Sequence, residues 1–173
     1  GTYGFVRFNL AMLPDATAAC MPLMLWLAVA GILYGALVAL AQSDIKRLLS
    51  FTLVSHIGYM IFGIALSNQL GMSGAIYYVA HHILVQTTLF LVVGLIERQA
   101  GASTMERLGG LAAASPLLAF VFVVPALNLG GIPPFSGFIG KVALLEAGAQ
   151  AGSSLAWLLV AGSVITSLLT LYV

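Results

Sequence analysis

Residues 21–41 read MPLMLWLAVAGILYGALVALA and contain no charged side chain. A transmembrane helix needs about 20 mostly apolar residues, so this stretch is long enough to cross a bilayer. The strands of membrane β-barrels are about half as long and alternate in polarity, which this stretch does not do. A helix also satisfies its own backbone hydrogen bonds in lipid. We therefore predict a membrane-spanning helix here, and a strand of a membrane β-barrel fits these residues poorly.

The composition of the whole chain agrees with this prediction. Of its 173 residues, 61% are hydrophobic and 6% are charged, whereas a soluble domain carries about 25% charged residues. Six basic and five acidic side chains cannot cover a water-facing surface. The composition therefore excludes a soluble single domain, a disordered tail and a nucleic-acid-binding protein. It favours an all-α, polytopic bundle of transmembrane helices.

Polar and turn-forming residues divide the chain into apolar segments of a single membrane domain. We predict the tail of one span and five further segments, at about 1–12, 21–41, 48–66, 74–96, 115–149 and 155–173. The sequence begins without a methionine and ends inside an apolar run. We therefore expect it to be part of a longer chain.

The basic residues predict which loops face the cytoplasm. The loops 42–47 and 97–114 are separated by two spans and should lie on one side of the membrane. Together they hold four basic residues, whereas the opposite side holds Arg7. Basic residues favour the cytoplasmic side. Both loops are therefore predicted to be cytoplasmic, in a multi-pass protein of the inner or plasma membrane.

The segment 115–149 is interrupted by the sequence GGIPP at 130–134. Proline lacks a backbone N–H and cannot continue a helix. The part after the break, 136–149, would form about 21 Å of helix, which is short for a full span. Two structures fit these residues: an extracellular loop between two helices, or a helix that unwinds inside the membrane. A broken helix is tolerated where its loose backbone lines a buried or watery cavity.

Lys141 is the main candidate for chemistry, because charged residues inside apolar segments usually face the interior of a bundle. It lies five residues after Ser136, which could cap the second half-helix. Burial and the positive end of that helix would both favour the neutral amine, so Lys141 could take up and release a proton. The alternative is a lysine that snorkels to the surface. Glu146 is a secondary candidate, with an interfacial carboxylate as its alternative role.

Two adjacent histidines form a second group of candidates. His81 and His82 point about 100° apart on a helix, and Gln86 follows His82 by one turn. Histidine titrates near neutral pH and suits a proton relay. The alternative is that these side chains form hydrogen bonds between helices.

His56 stands beside Ser55 and three residues before Tyr59, which makes a polar stripe on an apolar helix. We predict that His56 belongs to a proton relay with His81, His82 and Lys141, and that Ser55, Tyr59 and Gln86 are secondary candidates. Three histidines also raise the question of a metal site. They lack the i, i+4 spacing of metal ligands and have no cysteine or carboxylate beside them. The sequence also shows no catalytic triad, phosphate loop or cofactor motif. We therefore predict neither a metal nor a cofactor.

Two motifs resemble the proton-conducting membrane transporter family: SDIKRLLSF at 43–51 and SHIGYMIFGI at 55–64. That family joins the D and A subunits of Mrp-type cation/proton antiporters to the antiporter-like subunits of respiratory complex I. Three further motifs are most similar to the Mrp D subunit: GAIYYVAHH at 74–82, GLIER at 94–98 and IPPFSGFIGK at 132–141. The resemblance covers nearly the whole chain.

This resemblance implies that the chain is a piece of the C-terminal half of a longer polytopic protein. The segment 115–149 would be a helix broken inside the membrane, and Lys141 matches the lysine of the family's broken helix. His82 or its neighbour matches a relay position. One departure is Gln86, where D subunits often carry a lysine.

The sequence therefore predicts a proton-translocating subunit of a multisubunit Na+ or K+/proton antiporter, which is a secondary transporter. It leaves open whether the complete assembly is an enzyme. Protons would pass from the cytoplasm through His82 to Lys141. Its partners would be other membrane subunits, the lipid bilayer, protons and Na+ or K+, and not nucleic acid. One alternative is an antiporter-like, proton-pumping subunit of NADH:quinone oxidoreductase or of a related membrane hydrogenase. Another is a scaffold subunit that only holds helices together.

Overall fold

The computed structural model describes residues 1–7, 14–152 and 154–172. These residues form helices α1 Thr2–Phe5, α2 Pro14–Leu40, α3 Ile45–Ala65, α4 Gln69–Ala100, α5 Leu111–Ala114, α6 Pro116–Gly130, α7 Ser136–Gln150 and α8 Ser154–Tyr172. A short 3₁₀ turn, Met105–Arg107, lies between α4 and α5. The predicted all-α fold class is therefore confirmed. Parts of the predicted first and last spans, 8–12 and 173, lie outside the described residues.

Three stretches of helix are long and apolar enough to cross a membrane: Ala19–Leu40, Ile45–Ala65 and Gln69–Ala100. Their outer faces carry large apolar side chains, and Trp26 and Leu84 are 55% and 71% exposed. Broad apolar surfaces of this kind are stable against lipid rather than water. The chain is accordingly a multi-pass membrane protein.

Polar side chains in the connections set the ends of the long helices. Asp44 caps α3 by accepting two backbone N–H groups of the first turn, at 2.9 and 3.1 Å. Asn68 caps α4 in the same way, accepting from the Gly71 N–H at 2.6 Å. Gly101 ends α4 with a left-handed backbone (φ 69°), which glycine adopts without a steric penalty. These caps extend α4 beyond the predicted segment 74–96 at both ends.

The two polar loops predicted to share one side of the membrane contact each other. The Ser103 hydroxyl donates to Asp44 Oδ2 at 2.6 Å, and the Met105 N–H donates to the Ser43 carbonyl at 3.0 Å. We call this contact, residues 43–44 with 103–105, the loop clip. The Ser103 hydrogen bond, followed by the capping bond from the Arg47 N–H, holds the pKa of the Asp44 carboxyl below its usual value.

Small residues let α2 and α3 approach closely. A Cβ on Gly58 would lie 2.6 Å from Ile32 Cγ1, and a Cβ on Gly35 would collide with the backbone of Ser55. Close backbone approach at glycine is typical of helix pairs in membranes. The Ser55 hydroxyl adds a hydrogen bond across this contact, to the Ile32 carbonyl at 2.8 Å. The contact fixes the orientation of α3, which carries His56 and Tyr59.

Residues 131–135 separate two 15-residue helices, α6 and α7. Gly131 ends α6 with a left-handed backbone (φ 81°), and the peptide bond between Pro133 and Pro134 is cis. After this break α7 packs against α3, α4, α6 and α8. The bundle thus contains the discontinuous helix that the sequence predicted, and the start of its second half lies among the other helices.

Candidate functional site

Lys141 is buried at the break, with 5% of its surface exposed. Its Nζ donates to the Gly130 carbonyl at 3.1 Å and to Ser167 Oγ at 2.9 Å. The amine also lies 5.4 Å from the centre of the Tyr59 ring, within the range of a cation–π contact. Lys141 therefore faces the interior of the bundle and does not snorkel to its surface.

The surroundings of the Lys141 amine differ in one respect from the prediction. The sequence suggested that it would sense the positive, N-terminal end of α7. Its hydrogen bond to Gly130 places it at the C-terminal end of α6, where the last carbonyls lack helical partners and carry partial negative charge. The amine therefore lies at the junction of both half-helices, on the carbonyl side.

The predicted capping role of Ser136 is wrong. Ser136 is the first helical residue of α7; the capping position belongs to Phe135, and no side chain there forms a capping hydrogen bond. Asn128 of α6 lies within hydrogen-bond distance of the first turn of α7 across the break. Asn128 Oδ1 accepts from the Gly137 N–H at 2.9 Å and from the Ser136 hydroxyl at 3.3 Å. Asn128 thus supplies the acceptor that we expected from Ser136.

The two adjacent histidines face different neighbours, as their spacing on the helix predicted. His81 points to the break, where its Nδ1 lies 2.9 Å from Ser136 Oγ. His82 points to α3, and its ring centre lies 4.9 Å from that of His56. Both side chains are buried.

His56, Tyr59, Tyr78 and His82 form one buried group, which we call the aromatic cluster. The Tyr78 hydroxyl lies 2.6 Å from His56 Nδ1, and the two rings stack with their centres 5.8 Å apart. The ring centres of Tyr59 and Tyr78 are also 5.8 Å apart. Because the Lys141 amine lies over the Tyr59 ring, a series of ring contacts leads from the break to His82, and the hydrogen bond within it joins Tyr78 to His56.

The α8 helix fixes the end of the aromatic cluster that touches Lys141. The Tyr59 hydroxyl donates to the Ser163 carbonyl at 3.2 Å and contacts the Thr166 hydroxyl. Ser167, one position further on the same helix, binds Lys141. One face of α8 therefore holds both the tyrosine and the lysine.

The remaining predicted residues divide into buried and peripheral ones. Gln86 is buried, and its Nε2 donates to the Leu49 carbonyl at 2.9 Å. Its Oε1 has no hydrogen-bond partner among the described residues, and the same holds for Nε2 of His81 and of His82. Glu146 is exposed and lies outside the site. Within the described parts of the chain, no three histidine, cysteine or acidic side chains come together as metal ligands.

Several residues of the site were not singled out from the sequence. Tyr78 precedes His82 by one helical turn, a spacing that could have marked it. On α8 the hydroxyl residues recur at the three- and four-residue intervals of one helix face, namely Ser163, Thr166, Ser167 and Thr170. Asn128 is one of the few strongly polar residues inside the apolar segments, and that is its signal in the sequence. Its contact with α7 depends on the fold.

A cavity of 240 Å³ lies between the loop clip and the site. Its lining is mostly apolar and includes Met105, which belongs to the loop clip. The hydroxyl side chains that line it are Thr52, Ser55 and Thr170. Since Ser55 directly precedes His56, the cavity extends from the loop clip to the turn of α3 that carries part of the aromatic cluster.

Residues 1–170 match a protein-family model described as "NADH:quinone oxidoreductase/Mrp antiporter, TM". The D subunit of the Na(+)/H(+) antiporter of Alkalihalophilus pseudofirmus is 41% identical over 147 residues, which cover 85% of this chain and 30% of that protein. The M subunit of the NADH-quinone oxidoreductase of Rickettsia bellii is 37% identical over 141 residues, covering 82% of this chain and 28% of that protein.

Solved structures show the same two similarities. A chain of the Mrp complex from Dietzia sp. superposes with a TM-score of 0.89 at 36% identity, over 98% of this chain and 32% of that one. A chain of respiratory complex I from Thermus thermophilus gives a TM-score of 0.90 at 31% identity, over 99% and 37%. The present chain thus spans about a third of the length of the curated relatives it matches.

Proposed function

The chain belongs to the NADH:quinone oxidoreductase/Mrp antiporter transmembrane family, and we propose that it is part of a proton-translocating subunit of a multisubunit Na+ or K+/proton antiporter. The similarity to D subunits of Na(+)/H(+) antiporters supports this choice. Other membrane subunits are its proposed partners, and protons with Na+ or K+ are its proposed substrates.

The observation that carries this proposal is the environment of Lys141. The amine is buried, and its hydrogen-bond acceptors are a carbonyl and a hydroxyl. In the part of the chain that the structure describes, no carboxylate forms an ion pair with it. A buried charge is costly inside a membrane, so an ionisable residue at this depth marks a candidate functional site. Because neither acceptor is charged, Lys141 can lose its proton without leaving an unpaired carboxylate behind.

The aromatic cluster supplies a route for that proton. Imidazole and phenol groups can each donate and accept a hydrogen bond, so both can pass a proton along. We propose that protons move between His82, His56 and Tyr78 and reach Lys141 beside Tyr59. The sequence assigned the proton relay to Lys141, His82, His81 and His56, and Tyr59 and Tyr78 lie between Lys141 and the histidines of α3 and α4.

The cavity of 240 Å³ suggests the side from which protons enter this route. It extends from the loop clip toward His56. We propose that the loops 42–47 and 97–114 face the cytoplasm, because they carry most of the basic residues. The aromatic cluster then exchanges protons with the cytoplasm, in an inner or plasma membrane.

Two substitutions of Lys141 test the proposal in the full-length subunit, assembled with its partner subunits. Lys141→Ala removes the titrating group, and Lys141→Arg keeps a positive charge that cannot be released at cellular pH. Both variants should lose Na+- or K+-driven collapse of a pH gradient, in membrane vesicles that lack other antiporters. Lys46→Ala is the matched control, because Lys46 is half-exposed on α3, and it should exchange normally. Full exchange by the arginine variant would instead make Lys141 a structural residue.

A second candidate function is proton pumping in an NADH:quinone oxidoreductase. The similarity to a chain of Thermus thermophilus complex I favours it as strongly in fold as the Mrp similarity does. The two functions differ in their energy source. In membranes that contain the full-length protein, NADH-driven acidification that is lost on Lys141→Ala would support the pump. Na+- or K+-driven exchange lost on the same change would support the antiporter. If a Lys141→Leu variant kept its activity in both assays, the remaining alternative would be a scaffold subunit that only holds helices together.

A further inference from the structure

One hydroxyl group joins three helices at the break. Ser136 Oγ lies 2.9 Å from His81 Nδ1 of α4 and 3.3 Å from Asn128 Oδ1 of α6. The same Asn128 oxygen accepts the Gly137 N–H of α7 at 2.9 Å. We call these four residues, His81, Asn128, Ser136 and Gly137, the break clamp.

The break clamp is closely packed. A Cβ on Gly137 would collide with the backbone carbonyl oxygen of Asn128 and lie 3.1 Å from His81 Nε2. The start of α7 therefore cannot shift without changing its contacts to both α4 and α6. Lys141 lies one turn further along α7 and binds the Gly130 carbonyl of α6. The break clamp thus sets where the lysine amine lies relative to the end of α6.

The hydroxyl of Ser136 has a single hydrogen to donate. If His81 Nδ1 is bare, it can accept that hydrogen, and Asn128 Oδ1 then receives only the Gly137 N–H. If Nδ1 carries a hydrogen, His81 donates to Ser136 Oγ, and the Ser136 hydroxyl is free to donate to Asn128. The hydrogen on Nδ1 of His81 thus decides whether Asn128 receives one hydrogen bond or two. The charged ring always carries this hydrogen, and the neutral ring lacks it in the Nε2–H tautomer.

We propose that Ser136 and Asn128 are positioning residues that transmit the protonation of His81 to the half-helix carrying Lys141. A proton binds Nδ1 while Nε2 keeps its hydrogen, and the Ser136 hydroxyl turns from His81 to Asn128. No bond between heavy atoms forms or breaks. The break is held more tightly while His81 is charged and more loosely when it is neutral. This inference rests on the proposed function, because His81 would take its proton from the proposed route, whose Tyr78 ring lies 5.6 Å from its own.

Other titratable groups near His81 link its protonation to that of Lys141. The His81 ring lies 5.6 Å from that of Tyr78, and the other titratable side chains buried around the break and the aromatic cluster are Lys141, His82 and His56. Like charges that are buried near one another repel. A proton arriving on His81 therefore tightens the break and, at the same time, favours release of the proton on Lys141.

The test measures hydrogen–deuterium exchange of the backbone amides in 128–139, in the full-length subunit within its assembled complex. Exchange is compared at about pH 5.5 and about pH 8, on either side of the ordinary histidine range, after correction for the intrinsic pH dependence of the reaction. One added hydrogen bond predicts about fivefold greater protection at the lower pH. Ser136→Ala and His81→Gln should abolish this difference, and Ser136→Thr should keep it.

Two controls separate the break clamp from general effects of losing a hydroxyl. Ser50 and Thr88 donate only within their own helices and are exposed. Ser50→Ala and Thr88→Val should therefore keep the pH difference. A pH difference that survives in Ser136→Ala, or one absent from the unchanged protein, would overturn the inference. Hydrogen–deuterium exchange of the amides does not depend on transport. This failure is therefore distinct from cation/proton exchange that is retained by Lys141→Arg, which would contradict the proposed function.

Discussion

The loop clip and the break satisfy polar groups in two different ways. At the loop clip, Asp44 is partly exposed, and its carboxylate accepts hydrogen bonds from backbone N–H groups and a serine hydroxyl. At the break, Lys141 is buried and contacts a carbonyl, a hydroxyl and an aromatic ring. Charge at the surface is held in place by hydrogen bonds and solvent. The buried amine has neutral partners, an arrangement that lets its charge change during a transport cycle.

The largest expected difference between the two regions lies in their tolerance of one added methyl group. Gly137→Ala places a Cβ against the Asn128 carbonyl, and relieving that collision should cost about 1–3 kcal/mol. Gly109→Ala, in the loop near the loop clip, has no atom within 4 Å of the new Cβ and should be neutral. The thermal stability of the assembled complex measures both changes. Equal stability of the two variants would show that α6 and α7 can separate freely.

The second comparison concerns two tyrosines. Tyr59→Phe removes the hydroxyl that binds α8 and leaves the ring under Lys141. The loss of one buried hydrogen bond should cost about 1 kcal/mol of stability. Cation/proton exchange should fall because the Tyr59 ring, which lies under the Lys141 amine, is then no longer hydrogen-bonded to α8. Tyr34→Phe is the matched control, since Tyr34 is 60% exposed. Exchange that falls equally in both variants would contradict a specific role for the Tyr59 hydroxyl.

The sequence predicted much of this arrangement. Uncharged segments of about 20 residues predict membrane helices because lipid admits few other structures. The prolines at 133 and 134 predict an interruption because neither can donate a backbone hydrogen bond. Lys141 was identified as the main candidate because a charge in an apolar segment requires an explanation.

The remaining features depend on contacts between helices and could not be predicted from local pattern. Nothing near Asn128 in the sequence shows that its side chain contacts the first turn of α7 across the break. The partner of Lys141 is Ser167, 26 residues later, on a helix whose polar face was visible but whose orientation was not. The capping prediction for Ser136 failed for the same reason, since a local cap competes with acceptors brought by the fold.

The third comparison uses pH at the loop clip. The pKa of Asp44 is lowered in the folded protein, chiefly by the Ser103 hydrogen bond. A carboxyl with a lowered pKa stabilises the fold above its unfolded value of 3.8, and this contribution is lost as pH falls through the folded value. Asp44→Asn should therefore lower the thermal stability at neutral pH. It should also reduce the loss of thermal stability that the unchanged protein shows below about pH 4. Ser103→Ala should have a smaller effect in the same direction, and an unchanged acid profile in both variants would contradict the role of the loop clip.

The smallest effect is expected at the ion pair between Lys46 and Glu97, which joins α3 to the end of α4 beside the loop clip. Their side chains are 46% and 39% exposed, so water and salt screen the attraction. Exposed pairs of this kind contribute about 0–1 kcal/mol. Glu97→Gln should therefore change the thermal stability of the complex only slightly at low salt and not at all at high salt, and exchange should stay normal. This outcome would sharpen the contrast with Lys141. It would show that a lysine whose charge is paired and solvated, such as Lys46, has little effect on cation/proton exchange. A strong loss of exchange in Glu97→Gln would show that the surface pair takes part in proton entry, and the functional division between the two regions would be wrong.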